Sequence, residues 1–107
     1  MNGPVAFEAV CNLVALEPDE LERWIALRWV MPEGASGAWI FQAVDVARVR
    51  LIVELRRDLE IDEAAMPVVL GLLDRLYDAR RRMKALADAL EALPEGQRAS
   101  LKRWLEE

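Results

Sequence analysis

The side chains that could do covalent or metal chemistry are few. The chain has one cysteine (Cys11), two serines (Ser36 and Ser100), one tyrosine (Tyr77) and no histidine or threonine. Without imidazole, a Ser-His or Cys-His nucleophile pair cannot be assembled, and a single thiol can form neither an intrachain disulfide nor a thiolate-rich metal centre. Cys11 lies in an apolar helical pattern, where a thiol behaves as a small buried hydrophobe. Carboxylates are plentiful, 19 among 107 residues, but in a helical chain they usually form a solvated face rather than an acid/base dyad. The expectation is a protein that is not an enzyme, needs no cofactor or metal, and acts by binding.

The placement of the carboxylates says more than their number. Residues 1 to 47 carry Glu8, Glu17, Asp19, Glu20, Glu22, Glu33 and Asp45 against only Arg23 and Arg28, which accounts for the whole formal net charge of −5; residues 48 to 107 carry twelve acids and twelve bases. Two acidic groups are candidates for contact with a partner: Glu17, Asp19, Glu20 and Glu22, and the corner Asp58, Glu60 and Glu63. Asp62 lies in the same corner and is better read as a helix cap. Spacing alone does not rank the two groups.

The elements that must position these groups follow from periodicity. From Val5, the apolar residues Phe7, Val10, Cys11 and Val14 share one helical face. The run Leu16-Glu17-Pro18-Asp19-Glu20-Leu21 is a break and restart, with proline and acids in a first helical turn. A second helix carries Leu21, Trp24 and Ile25 and stops before Met31-Pro32. The turn-rich stretch Glu33 to Ala38 then leads into Trp39-Ile40-Phe41, a short strand of a hairpin or wing. Asp45 is the expected start of a third helix with Val46, Val49, Ile52, Val53, Leu55 and Leu59 at helical spacing.

A long helix is expected from Glu63 to about Leu93, with Pro67 disturbing its start. Along it Leu72, Leu76, Ala79, Met83, Leu86, Leu90 and Leu93 alternate by four and three residues, a sustained heptad seam. Past Arg80 the apolar face narrows to that seam, and a helix of about 30 residues, roughly 45 Å long, outruns what a small domain covers. Leu76, Ala79, Met83, Leu86, Leu90 and Leu93 are therefore the expected homodimer interface. Gln97 to Leu105 reads as a short amphipathic tail whose Leu101, Trp104 and Leu105 share a face.

At 107 residues, 54% hydrophobic and 31% charged, the chain is in the globular range and supports one modest core. No run is long and apolar enough for a membrane span, and no Lys or Arg precedes Arg23, so a soluble, cytoplasmic protein is expected. The expected organisation is a helix-turn-helix with wing over residues 1–62, the heptad-bearing helix over 63–93 and the tail over 94–107.

This order, helix, tight corner, helix, wing with Trp-x-Phe, helix, long seam-bearing helix, resembles a MerR-like winged helix-turn-helix followed by a C-terminal dimerisation helix: an all-α fold with a small β-wing. Four segments narrow the resemblance: Leu16-Glu17-Pro18-Asp19-Glu20-Leu21 after Cys11, Trp29-Val30-Met31-Pro32, Trp39-Ile40-Phe41, and Glu54-Leu55-Arg56-Arg57-Asp58-Leu59-Glu60-Ile61-Asp62 running into Val68-Val69-Leu70-Gly71-Leu72-Leu73-Asp74. Over roughly residues 6 to 90 they are similar to the CbpM-type chaperone modulators. The resemblance implies a protein that binds the J-domain of a DnaJ-like, curved-DNA-binding co-chaperone and inhibits its work with Hsp70. In two places the chain departs from the family: Ala15 and Arg28 stand where corner glycines are common. A MerR-type DNA-binding transcriptional regulator is the alternative. Charge weighs against it, because reading a duplex requires bases on the second helix and wing, and Glu33 to Phe41 contains none. Duplex DNA is not an expected partner.

Overall fold

In the computed structural model, which describes residues 3–106, the elements follow in the order β1 (Val5–Ala6), α1 (Phe7–Val14), α2 (Pro18–Ala26), β2 (Ile40–Phe41), α3 (Ala43–Val53), a π-helical turn (Glu54–Asp58), α4 (Met66–Glu91) and α5 (Glu95–Glu106). The expected class, all-α with a small β-wing, is the one found. The first helix starts later than its apolar spacing suggests. Val5 and Ala6 are extended and pair antiparallel with β2, Val5 opposite Phe41 and Ala6 opposite Ile40. Ile40 also exchanges both backbone hydrogen bonds with Glu33, at 2.9 and 3.0 Å. The wing is therefore a hairpin joined on its other side by the N-terminal strand, and Val5 gains burial against it that a helical turn at the surface would not supply.

The hairpin loop depends on glycine at one position. Gly34 has φ +98°, and a Cβ there would lie 2.6 Å from the Ala38 carbonyl oxygen, so no other residue fits without moving backbone.

The two corners of the helix-turn-helix adopt the left-handed conformation without glycine. Ala15 has φ 53° and Arg28 φ 63°. Each ends its helix with a six-to-one backbone bond, Leu16 N–H to Cys11 O at 2.9 Å and Trp29 N–H to Trp24 O at 3.0 Å, the pattern that satisfies carbonyls at a helix end. The geometry expected of glycine is thus kept by side chains that tolerate it less well. Both corners are braced from outside: Arg57 Nη2 donates to the Ala15 carbonyl at 2.9 Å, and Arg48 donates to that of Trp29.

Asp45 does not begin α3. Its Oδ2 accepts the backbone N–H of Gln42 at 2.8 Å, three residues back, so Gln42 is the N-cap and Asp45 the returning half of a capping box. Asp62 caps as expected, accepting the Ala65 N–H at 2.8 Å. A turn over residues 63–65 carries the chain into α4 at Met66, so Pro67 falls in the first helical turn, where a missing N–H costs nothing. α4 ends at Glu91, and α5 starts two residues before the expected Gln97, with Arg98 N–H bonded to the Pro94 carbonyl at 3.0 Å.

The described chain forms two compact units, one up to Val68 and one from Val69 on. The first holds the core: Val10, Leu21, Val30, Phe41, Val49, Ile52 and Met66 are fully buried, and Trp24, Trp29 and Leu55 nearly so. Two ring pairs sit there, Phe7 with Phe41 (centroids 6.4 Å apart) and Trp24 with Trp29 (6.2 Å). In the second unit Leu70 is buried, whereas Leu72, Leu76, Met83 and Leu86 of α4 are exposed. No helix of the described residues is long and apolar enough to cross a membrane.

Candidate partner-binding site

Three of the seven candidate acids come together: Asp19 and Glu20 from the first group and Glu63 from the second. α2 begins with Pro18 and carries Asp19 and Glu20 in its first turn, where carboxylates complement the helix dipole. One turn on, on the same helical face, Arg23 pairs with Glu63. Glu63 is held there by the corner after α3. The π-helical turn closes with Leu59 N–H on the Glu54 carbonyl at 3.1 Å, Glu60 turns the chain with φ 53°, and Arg56 Nη1 donates to the Ile61 carbonyl at 2.8 Å. Asp62 then fixes the start of the following turn.

The result is an open cleft of about 260 Å³ lined by Asp19, Glu20 and Glu63, by Arg23 and Arg56, and by Trp24, Leu27 and Trp29. Trp24 and Trp29 show only 3% and 5% of their surface, but Leu27 is 43% exposed. The charged lining of the cleft is three carboxylates and two guanidinium groups, with Glu63 already paired to Arg23.

Not every expected contact residue joins this cleft. Glu17 faces a different hollow, with Glu8, Asn12 and Ala15. Glu22 is engaged by the wing, accepting the indole N–H of Trp39 at 3.3 Å, so its first role is to tie α2 to the hairpin. Asp58 and Glu60 are exposed at the corner, outside the cleft. The residues that sequence reasoning passed over are Arg23, Arg56 and Leu27. Only Arg23 left a signal, standing four and three residues after Asp19 and Glu20 on the same helical face.

Cys11 is buried. Burial pushes its thiol above the ordinary value, and Glu17, Glu8 and Glu22 push the same way, against a backbone hydrogen bond that lowers it. A protonated, enclosed thiol is a poor nucleophile. Among the described residues no three His, Cys, Asp or Glu side chains stand close enough to hold a metal ion.

The seam residues differ in shelter. In α4 Ala79, Met83 and Leu86 are exposed, Leu76 is 44% exposed and Leu90 is half-buried; Leu93, past the helix end at Glu91, is half-buried too. Arg81 and Arg82 both pair with Asp78 one turn earlier, at 2.8 and 3.2 Å.

Comparison with known proteins agrees with this architecture. Residues 5–88 match the family described as MerR HTH family regulatory protein. The chaperone modulatory protein CbpM of Coxiella burnetii, in strain Dugway 5J108-111 and in strain RSA 331 / Henzerling II, is 27% identical over 86 residues, covering 79% of this chain and 81% of the relative.

Proposed function

The chain belongs to the MerR helix-turn-helix family of regulatory proteins, and from that membership and its acidic cleft we propose that it is a chaperone modulator: it binds the J-domain of a DnaJ-like co-chaperone and inhibits that protein's action with Hsp70. Its similarity to proteins named chaperone modulators supports this reading. The observation that carries it is the meeting of Asp19, Glu20 and Glu63 in one cleft that Trp24, Leu27 and Trp29 also line. A J-domain presents a basic helix to its Hsp70, and a cleft lined by three carboxylates is complementary to such a helix in charge. Inhibition then needs no chemistry, because the occupied helix is unavailable to the chaperone. No enzymatic activity is invoked, and the site of action is the cytoplasm.

The proposal includes a homodimer paired through α4. Leu76, Ala79, Met83, Leu86, Leu90 and Leu93 form the seam, and the helices run antiparallel. In a parallel, in-register pair, Arg80, Arg81, Arg82 and Lys84 would face their own copies. Reversing one helix about a centre near Leu86 sets each basic block beside the partner's Asp88 and Glu91. Exposed pairs of this kind contribute under about 1 kcal/mol each, so they select orientation while apolar burial supplies the affinity.

The activity is read by adding the chain to Hsp70 and its J-protein and following ATP hydrolysis. Stimulation by the J-protein falls toward the unstimulated rate as the chain saturates it, and is restored by excess isolated J-domain. Undiminished stimulation with the chain in excess would mean that this is not the protein's role. Tight, salt-dependent binding to random duplex DNA, with no effect on the chaperone, would favour the transcriptional reading.

A further inference from the structure

The three carboxylates of the cleft are not equally free. Glu63 is in an ion pair with Arg23, whereas Asp19 and Glu20 are in none among the described residues. The two guanidinium groups of the lining are unequal too. Arg56 is part-buried and donates to the Ile61 carbonyl at 2.8 Å, so it belongs to the corner after α3. Arg23 has 61% of its side chain in solvent, and Glu63 is the one acceptor its guanidinium meets among the described residues. Arg23 can therefore swing away without burying a charge or freeing a backbone carbonyl, and an exposed pair of this kind holds it only weakly.

We propose that Arg23 is an internal competitor for the partner: it occupies Glu63 in the free chain, and a cationic side chain of the partner must displace it to complete its contacts in the cleft. The inference rests on the J-domain reading above and adds how that site discriminates. Arg23 follows Asp19 and Glu20 by one turn of α2, so it is tethered beside Glu63 and competes at the high effective concentration of a linked group. A cation that fits loosely does not exchange with it. One whose position Asp19 and Glu20 have already fixed does, and the cleft thereby rejects cations that only approach its field. Arginine is the better displacer, because a guanidinium can pair with both carboxylate oxygens where an ammonium presents a point charge. Removing Arg23 should thus tighten binding, and Glu63 should contribute a direct contact only once Arg23 is out of the way.

The test is a double-mutant cycle on the full-length chain, with Arg23→Gln, Glu63→Gln and the two combined, each titrated calorimetrically with an isolated J-domain. Salt at about 300 mM screens the change in net charge that each variant also brings and leaves direct contacts in place. Urea unfolding checks that the variants are folded. The expected result is a dissociation constant lowered about three- to fivefold by Arg23→Gln, unchanged by Glu63→Gln alone, and returned to the wild-type value in the double variant. Equal weakening by Glu63→Gln with and without Arg23 overturns the competition, because Glu63 would then touch the partner while Arg23 is in place. An unchanged or raised constant for Arg23→Gln overturns it as well. Both outcomes leave the J-domain reading standing, whereas a J-domain that binds none of the four proteins removes the reading and the inference together.

Discussion

Two residues hold the helix-turn-helix corners in a conformation that costs an L side chain about 1 kcal/mol or more, Ala15 at φ 53° and Arg28 at φ 63°. The bracing bonds from Arg57 and Arg48 help explain how the corners persist without glycine. Ala15→Gly and Arg28→Gly should therefore each stabilise the fold by about 0.5–1 kcal/mol, after allowing for the extra entropy that glycine gives the unfolded chain. Urea unfolding checks this through the midpoint at constant slope; a lower midpoint in both variants would show that the corners are not strained. At this scale the sequence was readable where the signal was local. The Asp62 cap acts across three residues and was legible. Asp45 was placed in the right turn but given the wrong job, since a cap and the returning half of a capping box differ only by a three-residue shift. The Arg57–Ala15 and Arg23–Glu63 contacts join residues 42 and 40 apart in sequence, and no local pattern encodes them.

At the scale of elements, periodicity located all five helices, and their ends were set by groups it does not register. Val5 and Phe7 fit a helical face, yet Val5–Ala6 is a strand because it pairs with Ile40–Phe41, a partner that lies a whole helix-turn-helix away. The meeting of Glu63 with Asp19 and Glu20 is hidden for the same reason: it depends on the π-helical turn and on Glu60 at φ 53°, neither of which has a strong sequence signature. The apolar spacing along α4 is legible, and of the expected seam Leu76, Ala79, Met83 and Leu86 are exposed while Leu90 and Leu93 are half-buried. Met83→Asp with Leu86→Asp places a charge at each of two contacts that would otherwise bury about 1.5–3 kcal/mol of apolar side chain apiece. Both residues are exposed in the single chain, so folding should be spared. Light scattering should show a monomer with wild-type helix content and a dissociation constant raised more than a hundredfold. A variant that remains a dimer at wild-type strength would place the interface elsewhere.

At the scale of the whole molecule, charge divides with structure. Up to Val68 there are twelve acids and six bases, and from Val69 on seven acids and eight bases. Of the six bases in the first unit, Arg48, Arg56 and Arg57 are tied to backbone carbonyls and Arg23 to Glu63. Hydrogen bonds to carbonyls leave those arginines charged, so twelve acids and six bases give this unit a formal charge of −6, and a field of that sign attracts cations and repels phosphates. Asp19 and Glu20 make the clean probe of that field, because Glu22 also supports the wing through Trp39. The measurement that bears most directly on the account is the association of the purified chain with an isolated J-domain, followed at about 50 mM and about 300 mM salt for the wild type and for Asp19→Lys/Glu20→Lys. Complementarity predicts a wild-type association rate that falls steeply with salt, a double variant that stays folded, though less stable by the lost dipole complement, and associates at least tenfold slower at low salt, and convergence of the two rates at high salt. A J-domain that fails to bind the wild type, or that binds the double variant at the wild-type rate at low salt, would contradict it.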